Sequence, residues 1–309
     1  MDFPLVSIII PTFNRAHLIR ETLDSIIAQS YTNWECIVVD DGSNDGTDSL
    51  LVSYCHNDKR FKYLKRPKHH MQGGNGARNY GFTMSKGDYI QWFDSDDVMH
   101  PDFVKLKVRA FQEYGVDIVI SKSKLLNKEQ SAYGNYDFKS KDINVIDFAT
   151  TSMSWLTPDI MIKRSFCELV EFDESLKAGQ EYNFICKLLT YTNSNYVINE
   201  YLTQVRENEN SIGSNRFRVK EKYLKTKFDV YWKTYYDLNI KINSKDFNQY
   251  MLLKCISAFY ESKNQLELPK EFQFQLKKVF GNKVVYFYLG KYCNRYFGKY
   301  YVFYELLKS

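Results

Sequence analysis

The chain has 309 residues, 44% of them hydrophobic and 26% charged, which is enough to bury the core of one large domain or of one domain with an appendage. The formal net charge of +5 is too small to suggest a nucleic-acid-binding protein, so we expect no nucleic acid partner. No run of about 18 uncharged apolar residues is present, and the N-terminus lacks the basic leader of a signal peptide. The six cysteines show neither CxxC nor zinc-site spacing, which favours free thiols. Together these features predict a cytoplasmic protein without a transmembrane helix.

The first 120 residues alternate between apolar, β-branched runs and segments with helical periodicity. Strands are predicted at 5–10, 34–39, 61–64, 89–93 and 117–121, and helices at about 16–29, 47–54, 77–85 and 101–114. In this interpretation Pro11 ends the first strand, and Asn14 caps the helix that follows. The alternation predicts βαβ units with right-handed crossovers, and therefore an α/β fold with a mostly parallel sheet flanked by helices.

The remaining sequence divides into a weakly patterned part and a helical part. Residues 122–150 suggest strands and loops, residues 154–162 suggest an extended segment around Pro158, and residues 179–190 suggest a helix. From residue 219 onward the pattern is mostly helical and rich in Tyr, Phe and Lys. We therefore predict a domain over 1–215, with halves 1–120 and 121–215, and a helical C-terminal region over 216–309.

Three polar clusters directly follow predicted strands. They are Thr12-Phe13-Asn14-Arg15, Asp40-Asp41-Gly42-Ser43 and Asp94-Ser95-Asp96-Asp97. Because parallel α/β sheets bind ligands at the carboxyl ends of their strands, we expect the three clusters to meet at one edge and form a site.

Asp94 and Asp96 are the strongest candidates for chemistry. In an extended segment, residues two apart point to the same side, so the two carboxylates would repel each other unless a cation lay between them. Mg²⁺ and Mn²⁺ prefer oxygen ligands and often join one or two carboxylates to substrate phosphates. The alternative is a solvated acidic turn that caps the next helix, but the position after an apolar strand favours the metal site.

The other clusters leave two interpretations open. Asp40–Ser43 suits a helix-capping turn as well as a carboxylate that accepts a hydrogen bond from a base or a ribose. Gly73–Gly76 lacks the P-loop and dinucleotide patterns, so a flexible turn before a helix is the simpler interpretation. Arg78, just after it, is a cation that could face a diphosphate.

Four motifs in order make the sequence resemble a family 2 glycosyltransferase of the GT-A fold. They are Val6-Ser7-Ile8-Ile9-Ile10-Pro11-Thr12-Phe13-Asn14-Arg15, Val38-Val39-Asp40-Asp41-Gly42-Ser43 with Asp45-Gly46-Thr47, Gly76-Ala77-Arg78-Asn79-Tyr80-Gly81, and Gly87-Asp88-Tyr89-Ile90-Gln91-Trp92-Phe93-Asp94-Ser95-Asp96-Asp97. The resemblance is dense over residues 5–120 and becomes thinner toward residue 215.

This resemblance implies an inverting transfer of a sugar from a nucleotide-diphosphate donor to an acceptor hydroxyl, with Mn²⁺ or Mg²⁺ and without a covalent intermediate. It further implies surface polysaccharide or lipopolysaccharide biosynthesis, with a glycan or lipid-linked acceptor. The implied donor-binding residues are Pro11, Thr12, Asn14, Arg15, Asp41 at the base, Arg78, Asp94, Ser95 and Asp96. The implied metal ligands are Asp96 and Asp94, with Asp96 the more direct of the two.

The segment 172–184 resembles the family's FDE…L…G-E-D pattern. Gln180 and Glu181 stand where the family commonly has Glu-Asp, so Glu181 matches the catalytic base. The simpler alternative is that Glu181 only stabilises the first turn of a helix. Arg206 resembles the arginine of the family's R-x-H segment, whereas Asn208 replaces its histidine, which weakens the case for a metal ligand there.

The C-terminal region combines aromatic and basic residues. The last 27 residues contain ten Tyr or Phe, and Lys291, Arg295 and Lys299 are spaced by four, as in one helical stripe. This composition suits an anionic lipid surface, which would place the protein peripherally on the inner face of a membrane. The alternative is a helical appendage that packs its rings on the rest of the protein.

Two other functions remain open. A sugar nucleotidyltransferase would also bind a metal at an α/β sheet, but its N-terminal loop would be rich in glycine and basic residues, unlike Pro11–Arg15. A sugar-nucleotide-binding protein without transfer activity is weakly supported by Gln180, whereas Glu181 argues against it.

Overall fold

The computed structural model describes residues 3–132, 143–150, 153–207 and 220–308, which contain eight strands and twelve α-helices. The strands are β1 (Val6–Thr12), β2 (Trp34–Asp40), β3 (Phe61–Lys65), β4 (Tyr89–Trp92), β5 (Val98–Met99), β6 (Ile118–Leu125), β7 (Ile160–Lys163) and β8 (Asn195–Val205). The helices are α1 (Ile19–Ile27), α2 (Thr47–Asn57), α3 (Gly74–Thr83), α4 (Phe103–Tyr114), α5 (Val145–Thr150), α6 (Arg164–Cys167), α7 (Gln180–Leu188), α8 (Lys220–Ile242), α9 (Lys245–Glu261), α10 (Phe272–Phe280), α11 (Val284–Phe297) and α12 (Tyr301–Lys308).

The eight strands form one mixed sheet in the order β3-β2-β1-β4-β7-β6-β8-β5. The first four strands are parallel to one another, and β6 is parallel to β8. Strand β7 runs antiparallel to both β4 and β6, and β5 runs antiparallel to β8. Four of the seven pairings are therefore parallel, which confirms the predicted α/β class.

Strand β1 lies in the interior of the sheet and is buried on both faces. Val6, Ile8 and Ile10 pack into the larger apolar core, which includes residues of α1 and α4. A smaller cluster beside α3 contains Ile37, Val39 and Ala77. Burial on both faces explains why β1 reads as a continuous apolar run rather than as an alternating one.

Two predictions about the end of β1 are wrong. The strand continues to Thr12 because Pro11 and Thr12 stay in register with Val39 and Asp40 of β2. On the other side, the carbonyl of Ile9 accepts a hydrogen bond from the amide of Phe93, which follows β4. Strand residues two apart face the same neighbouring strand, so Pro11 faces β4 as Ile9 does. The pairing with β4 stops at Ile9, and the missing amide hydrogen of Pro11 therefore breaks no hydrogen bond of the sheet. Asn14 is not the cap of α1, because the N-cap of that helix is Leu18, four residues later.

The weakly patterned middle of the chain contains elements that we did not predict. Strand β6 extends to Leu125, helix α5 follows at Val145–Thr150, and the eleven-residue strand β8 pairs with both β6 and β5. The segment around Pro158 is a short 3-10 helix, Thr157–Asp159, that leads into β7. The order of the sheet, rather than local periodicity, thus accounts for these strands.

The chain divides into two compact units. One comprises Met1–Ser175 with Leu188–Glu207, and the other comprises Leu176–Lys187 with Asn208–Ser309. Helices α8 to α12 belong to the second unit, where α8 and α9 are joined by Asn243 at φ 45° and by Ser244, whose hydroxyl accepts a hydrogen bond from the Phe247 amide. The domain boundary at 215/216 lies outside the described residues and stays a prediction, whereas the helical nature of the C-terminal region is confirmed.

The predicted basic stripe of the C-terminal region is wrong at one position. Helix α11 ends at Phe297, and Gly298 adopts φ 64°, so Lys299 lies beyond the helix that carries Lys291 and Arg295. Among the helices of the described residues, none has both the length and the apolar composition needed to cross a bilayer.

Candidate functional site

The carboxyl ends of the adjacent parallel strands β2, β1 and β4 bring the three polar clusters to one edge of the sheet. Thr12 is opposite Asp40 in the register of β1 and β2, and Ile9 is opposite Trp92 in the register of β1 and β4. The loop after each of these strands therefore begins at the same edge, as the sequence predicts for a ligand site.

Hydrogen bonds join the loop after β1 to the loop after β2. The amide of Asn14, which adopts φ 52°, donates to the Ser43 hydroxyl at 2.8 Å, and the Asn44 amide donates to Asn14 Oδ1 at 2.9 Å. The Arg15 amide donates to Thr47 Oγ1 at 3.0 Å. These contacts fix the loop that contains Asn14 and Arg15 against its neighbour.

Thr12 provides a buried polar atom that lacks a partner. Its side chain is 3% exposed, and its Oγ1 accepts or donates no hydrogen bond within the described part of the chain. Its carbonyl accepts a hydrogen bond from the Asp41 amide at 2.9 Å. Because an unsatisfied buried hydroxyl costs about 1–3 kcal/mol, this position favours a ligand or a water molecule at the edge of the sheet.

Asp40 and Asp41 have different surroundings. Asp40 accepts hydrogen bonds from the Ser43 amide and hydroxyl at 2.9 and 2.6 Å, and from the Tyr63 hydroxyl at 3.1 Å, so it serves as the turn-forming residue. Asp41 instead forms an ion pair with Arg66. Asp40 therefore shapes the turn, whereas Asp41 links this loop to Arg66.

Arg66 was missed by the sequence analysis. It is the first residue after β3, and its side chain also donates to the carbonyl of His70, so it links Asp41 to the segment 66–73. Its position at the carboxyl end of a parallel strand was the signal that could have identified it.

Glu174 holds the same segment 66–73 from the other side. Its carboxylate lies 2.6 Å from His70 Nδ1, and it accepts hydrogen bonds from the Met71 amide at 2.6 Å and from Asn79 Nδ2 at 3.0 Å. Burial alone would raise the pKa of Glu174, but its hydrogen bonds to His70, Asn79 and Met71 outweigh burial and lower that pKa. An ionised Glu174 thus anchors the segment that presents Arg66.

The residues Asp94–Asp97 form a turn rather than the extended segment that the sequence analysis assumed. The Asp97 amide approaches the Asp94 carbonyl at 3.4 Å, and β5 begins at Val98. The prediction that Asp94 and Asp96 point to the same side therefore lacks its basis, because residues two apart share a side only in extended backbone. Asp94 is nevertheless close enough to contribute to the raised pKa values of Asp96 and Asp97.

Negative charge accumulates at this acidic turn. Burial and then the nearby Asp94 raise the pKa of Asp96, and burial, Asp94 and Asp96 raise the pKa of Asp97 well above its usual range. Two arginines partly offset this charge: Arg78 Nη2 lies 2.9 Å from Asp94 Oδ1, and Arg15 Nε lies 3.6 Å from Asp96 Oδ2. Buried carboxylates with raised pKa values favour a cation as their counterpart.

The acidic turn is also tied to the end of β8. The Arg206 amide donates to Asp97 Oδ1 at 3.1 Å, and Arg206 Nε donates to the Asp96 carbonyl at 3.2 Å. The Arg206 guanidinium also pairs with Glu21 of α1. Arg206 therefore fixes the turn, whereas Asn208 lies outside the described residues.

The surroundings of Arg78 depend on close packing of α3. Its side chain is 6% exposed, and its Nη1 lies 3.5 Å from Asn75 Oδ1. A side chain at Gly81 would overlap Ile9 of β1, so the glycine allows α3 to lie directly on the sheet. This packing places Arg78 beside the acidic turn.

Glu181 belongs to the second compact unit, where it lies half-buried in the first turn of α7. The preceding Gly179 adopts φ 65°, and a Cβ there would come within 2.8 Å of Val230 Cγ2. Only glycine accommodates both the dihedral angle and this contact, so the start of α7 is fixed by backbone geometry.

Within the described residues, no three or more His, Cys, Asp or Glu side chains form a group that could hold a metal. If a cation binds at the acidic turn, substrate oxygens and water would have to complete its coordination.

Comparison with known proteins identifies the family. The family described as Glycosyl transferase family 2 matches residues 7–173, more than half of the chain and all three loops of the site. The chain belongs to glycosyl transferase family 2. The resemblance drawn from the motifs is thus confirmed at the level of the family.

Several similar curated proteins are named as glycosyltransferases. The chain is 31% identical over 232 residues to the uncharacterized glycosyltransferase RT0329 of Rickettsia typhi, covering 71% of this chain and 69% of that protein. It is 27% identical over 220 residues to the putative teichuronic acid biosynthesis glycosyltransferase TuaG of Bacillus subtilis, covering 71% and 85%. An uncharacterized glycosyltransferase of Rickettsia felis is 32% identical over 212 residues, covering 60% of this chain but only 31% of that protein. The chain thus spans less than a third of the length of some relatives it matches.

Solved structures confirm the GT-A-type fold. Staphylococcus aureus TarS 1–349 in complex with UDP-GlcNAc superposes with a TM-score of 0.68 at 18% identity, covering 98% of this chain and 91% of that one. The mannosyltransferase PcManGT of Pyrobaculum calidifontis, in complex with GDP-Man and Mn²⁺, superposes with a TM-score of 0.56 at 16% identity, covering 99% and 86%. Similarity at this level of identity supports the fold, and function has to be argued from the site.

Proposed function

We propose that this protein transfers a sugar from a nucleotide-diphosphate donor to an acceptor hydroxyl, with inversion at the anomeric carbon. The observation that carries the proposal is the partly buried acidic turn at the carboxyl end of β4, where two aspartates have raised pKa values and two arginines lie alongside. Such a site combines the charges that a diphosphate and a bridging cation require.

The donor is proposed to bind along the edge formed by the loops after β1, β2 and β4. The residues in this proposal are Pro11, Thr12, Asn14, Arg15, Asp41, Arg78, Asp94, Ser95 and Asp96. The unpartnered hydroxyl of Thr12 and the ion pair between Asp41 and Arg66 provide polar groups for the nucleoside. The relatives crystallised with UDP-GlcNAc and GDP-Man bind nucleotide-diphosphate sugars, which supports a donor of this class.

Asp94 and Asp96 are proposed to hold Mn²⁺ or Mg²⁺, with Asp96 as the more direct ligand. Burial and then the nearby Asp94 raise the pKa of Asp96, and a cation at this position would favour the ionised carboxylate. When bound, such an ion would neutralise the charge that develops on the leaving diphosphate. Arg15 and Arg78 would keep both carboxylates oriented toward that group.

Glu181 is proposed as the general base. It would take the proton from the acceptor hydroxyl while that oxygen forms the bond to the anomeric carbon. The bond between the anomeric carbon and the diphosphate would break on the opposite side, and the electron pair would leave with the diphosphate. No serine or cysteine nucleophile takes part in this single displacement.

The acceptor is proposed to be a glycan or a lipid-linked glycan of a surface polysaccharide or lipopolysaccharide. The relative with a putative role in teichuronic acid biosynthesis supports a cell-surface polymer. We further propose a cytoplasmic location, peripheral on the inner face of the membrane, where lipid-linked acceptors would be accessible.

A screen of nucleotide-diphosphate sugars tests the proposal. We expect one donor to raise the melting temperature in the presence of Mn²⁺, because a ligand of the folded state stabilises it by mass action. The same donor, radiolabelled in its sugar, should be hydrolysed or transferred. Binding without any turnover on a panel of acceptors would instead favour a sugar-nucleotide-binding protein.

The variant Asp96→Ala provides the direct test of the acidic turn. We expect it to lose the Mn²⁺-dependent part of the donor-induced thermal shift and of turnover, because a proposed ligand is removed. Asp102→Ala, which removes a partly exposed carboxylate that hydrogen-bonds to Ser30, is the matched control. A normal Mn²⁺ response of Asp96→Ala would exclude the acidic turn as the metal site.

A further inference from the structure

A stretch near the end of the described chain carries a strong positive charge. Residues 272–304, which we call the basic aromatic segment, contain no Asp or Glu and six basic residues: Lys277, Lys278, Lys283, Lys291, Arg295 and Lys299. The six positive charges of this segment exceed the net charge of the whole chain, +5, so the rest of the chain has a slightly negative net charge. The positive charge of the protein is therefore concentrated in this segment.

Helix α11, within this segment, is apolar or aromatic on two opposite faces. One face packs inward through Phe287, Gly290 and Asn294, and the Tyr260 hydroxyl donates to the carbonyl of Phe287 at 2.8 Å. The opposite face, which we call the exposed stripe, has residues 43–61% exposed at i, i+3, i+4, i+7 and i+11: Val285, Tyr288, Leu289, Tyr292 and Tyr296. A helix with apolar residues on both faces normally has a partner on each.

The rings of the exposed stripe lie next to positive charge. The rings of Tyr292 and Tyr296 are 4.7 Å apart, and the Arg295 guanidinium lies 5.8 Å from the centre of the Tyr296 ring. At the end of α11 and the start of α12, Phe297, Tyr301 and Val302 are each at least 67% exposed. Tyrosine and arginine have an apolar body and a polar end, so both suit the boundary between lipid headgroups and acyl chains.

We propose that the basic aromatic segment binds the surface of an anionic lipid membrane, with the exposed stripe against the headgroup boundary. Charge complementarity decides between this partner and a second copy of the chain. A two-fold symmetric contact through the stripe would bring two segments of the same positive sign together, without any acidic residue in either to pair with them. An anionic bilayer instead provides negative charge and an apolar interior on the same side.

Cosedimentation of the full chain with vesicles tests this proposal. We expect binding to vesicles of roughly one part phosphatidylglycerol to three of phosphatidylcholine, and little binding to phosphatidylcholine alone. The triple variant Lys277→Gln, Lys278→Gln and Lys283→Gln should weaken partitioning by about fivefold per charge, or roughly 100-fold in total. The control variant Lys59→Gln, Lys105→Gln and Arg109→Gln removes three exposed charges elsewhere and should leave partitioning nearly unchanged.

A second pair of variants tests the exposed stripe. Tyr292→Gln with Tyr296→Gln removes two rings that are 59% and 61% exposed, and we expect it to reduce vesicle binding at least tenfold while the chain stays folded. Tyr223→Gln with Tyr236→Gln, two exposed tyrosines of α8, is the control.

Three outcomes would overturn the proposal: no binding to either vesicle, equal binding to both, or binding that neither test variant weakens. Concentration-dependent self-association that disappears in the tyrosine variant would show that a second copy covers the stripe. All test variants should retain the donor-induced thermal shift, because none of the altered residues belongs to the proposed donor site. Membrane binding and sugar transfer can therefore fail independently.

Discussion

Replacement of Glu174 by alanine should weaken donor binding without removing any proposed donor ligand. Glu174 anchors the segment 66–73 through His70, the Met71 amide and Asn79, and Arg66 of the same segment pairs with Asp41. Glu174→Ala leaves the Met71 amide and His70 without their charged acceptor. We therefore expect the segment to move away from its position beside Asp41 in a fraction of the molecules.

The magnitude follows from the hydrogen bonds that are lost. A hydrogen bond to a charged group contributes about 1.5–3 kcal/mol, and solvent reaches part of this cluster, so about 2 kcal/mol is a reasonable net loss for the anchored state. Since 1.4 kcal/mol corresponds to a factor of ten, the apparent dissociation constant of the nucleoside diphosphate should rise by up to about 30-fold. Glu174→Gln keeps one acceptor oxygen, so its dissociation constant should lie between those of the unaltered protein and Glu174→Ala.

Isothermal titration calorimetry with UDP and GDP, together with thermal unfolding, measures both consequences. Glu168→Ala, which changes an exposed carboxylate of the same unit, is the matched control. If Glu174→Ala lowers the melting temperature but binds the nucleoside diphosphate as tightly as the unaltered protein, the segment 66–73 does not contribute to the donor site. If neither the melting temperature nor the dissociation constant changes, Glu174 does not anchor the segment 66–73.

Three further predictions concern catalysis, packing and pH. Glu181→Gln should reduce kcat by about 10²–10⁴ while the donor affinity stays unchanged, and near-normal turnover would remove Glu181 as the base. Gly81→Ala should lower the free energy of unfolding by about 1–3 kcal/mol in chemical denaturation, because the new methyl group would overlap Ile9; an unchanged midpoint would contradict this packing. Burial would raise the pKa of Glu35, but its bonds to Lys62, Ser7 and the Lys86 amide outweigh burial and lower it. A carboxyl group whose pKa is lower in the folded state than in the unfolded state stabilises the protein at pH values above the unfolded pKa. This stabilisation is lost as the pH falls through the folded pKa. Glu35→Gln should therefore lower the free energy of unfolding at neutral pH and have little effect on it in strong acid.

The sequence alone was sufficient for the parallel half of the sheet. Apolar runs indicate the buried strands, and the intervening helical periodicity requires crossovers, so β1 to β4 were identified with ends that differ by at most two residues. The error at Pro11 arose because proline was taken as a strand breaker. Whether its missing amide hydrogen matters depends on the neighbouring strand, which is not a local property.

The mixed half of the sheet, β5 to β8, could not be read in the same way. Strand β8 is polar at several positions and partly exposed, and it is held by pairing with β6 and β5. Its residues pair with residues 77 to 106 positions away in the chain, such as Ile118 with Asn195 and Val98 with Gln204. Local periodicity contains little information on such pairing.

For the site, the sequence determined which residue types stand at the ends of the strands, because each loop follows directly from its strand. Only the tertiary structure decided how they pair: Asp41 with Arg66, His70 with Glu174, and Asp97 with Arg206. The physical reason is that burial and periodicity are encoded over a few neighbouring residues, whereas an ion pair depends on which distant strands lie side by side. The raised pKa values of Asp96 and Asp97 likewise arise from burial and neighbouring charge, which exist only in the folded chain.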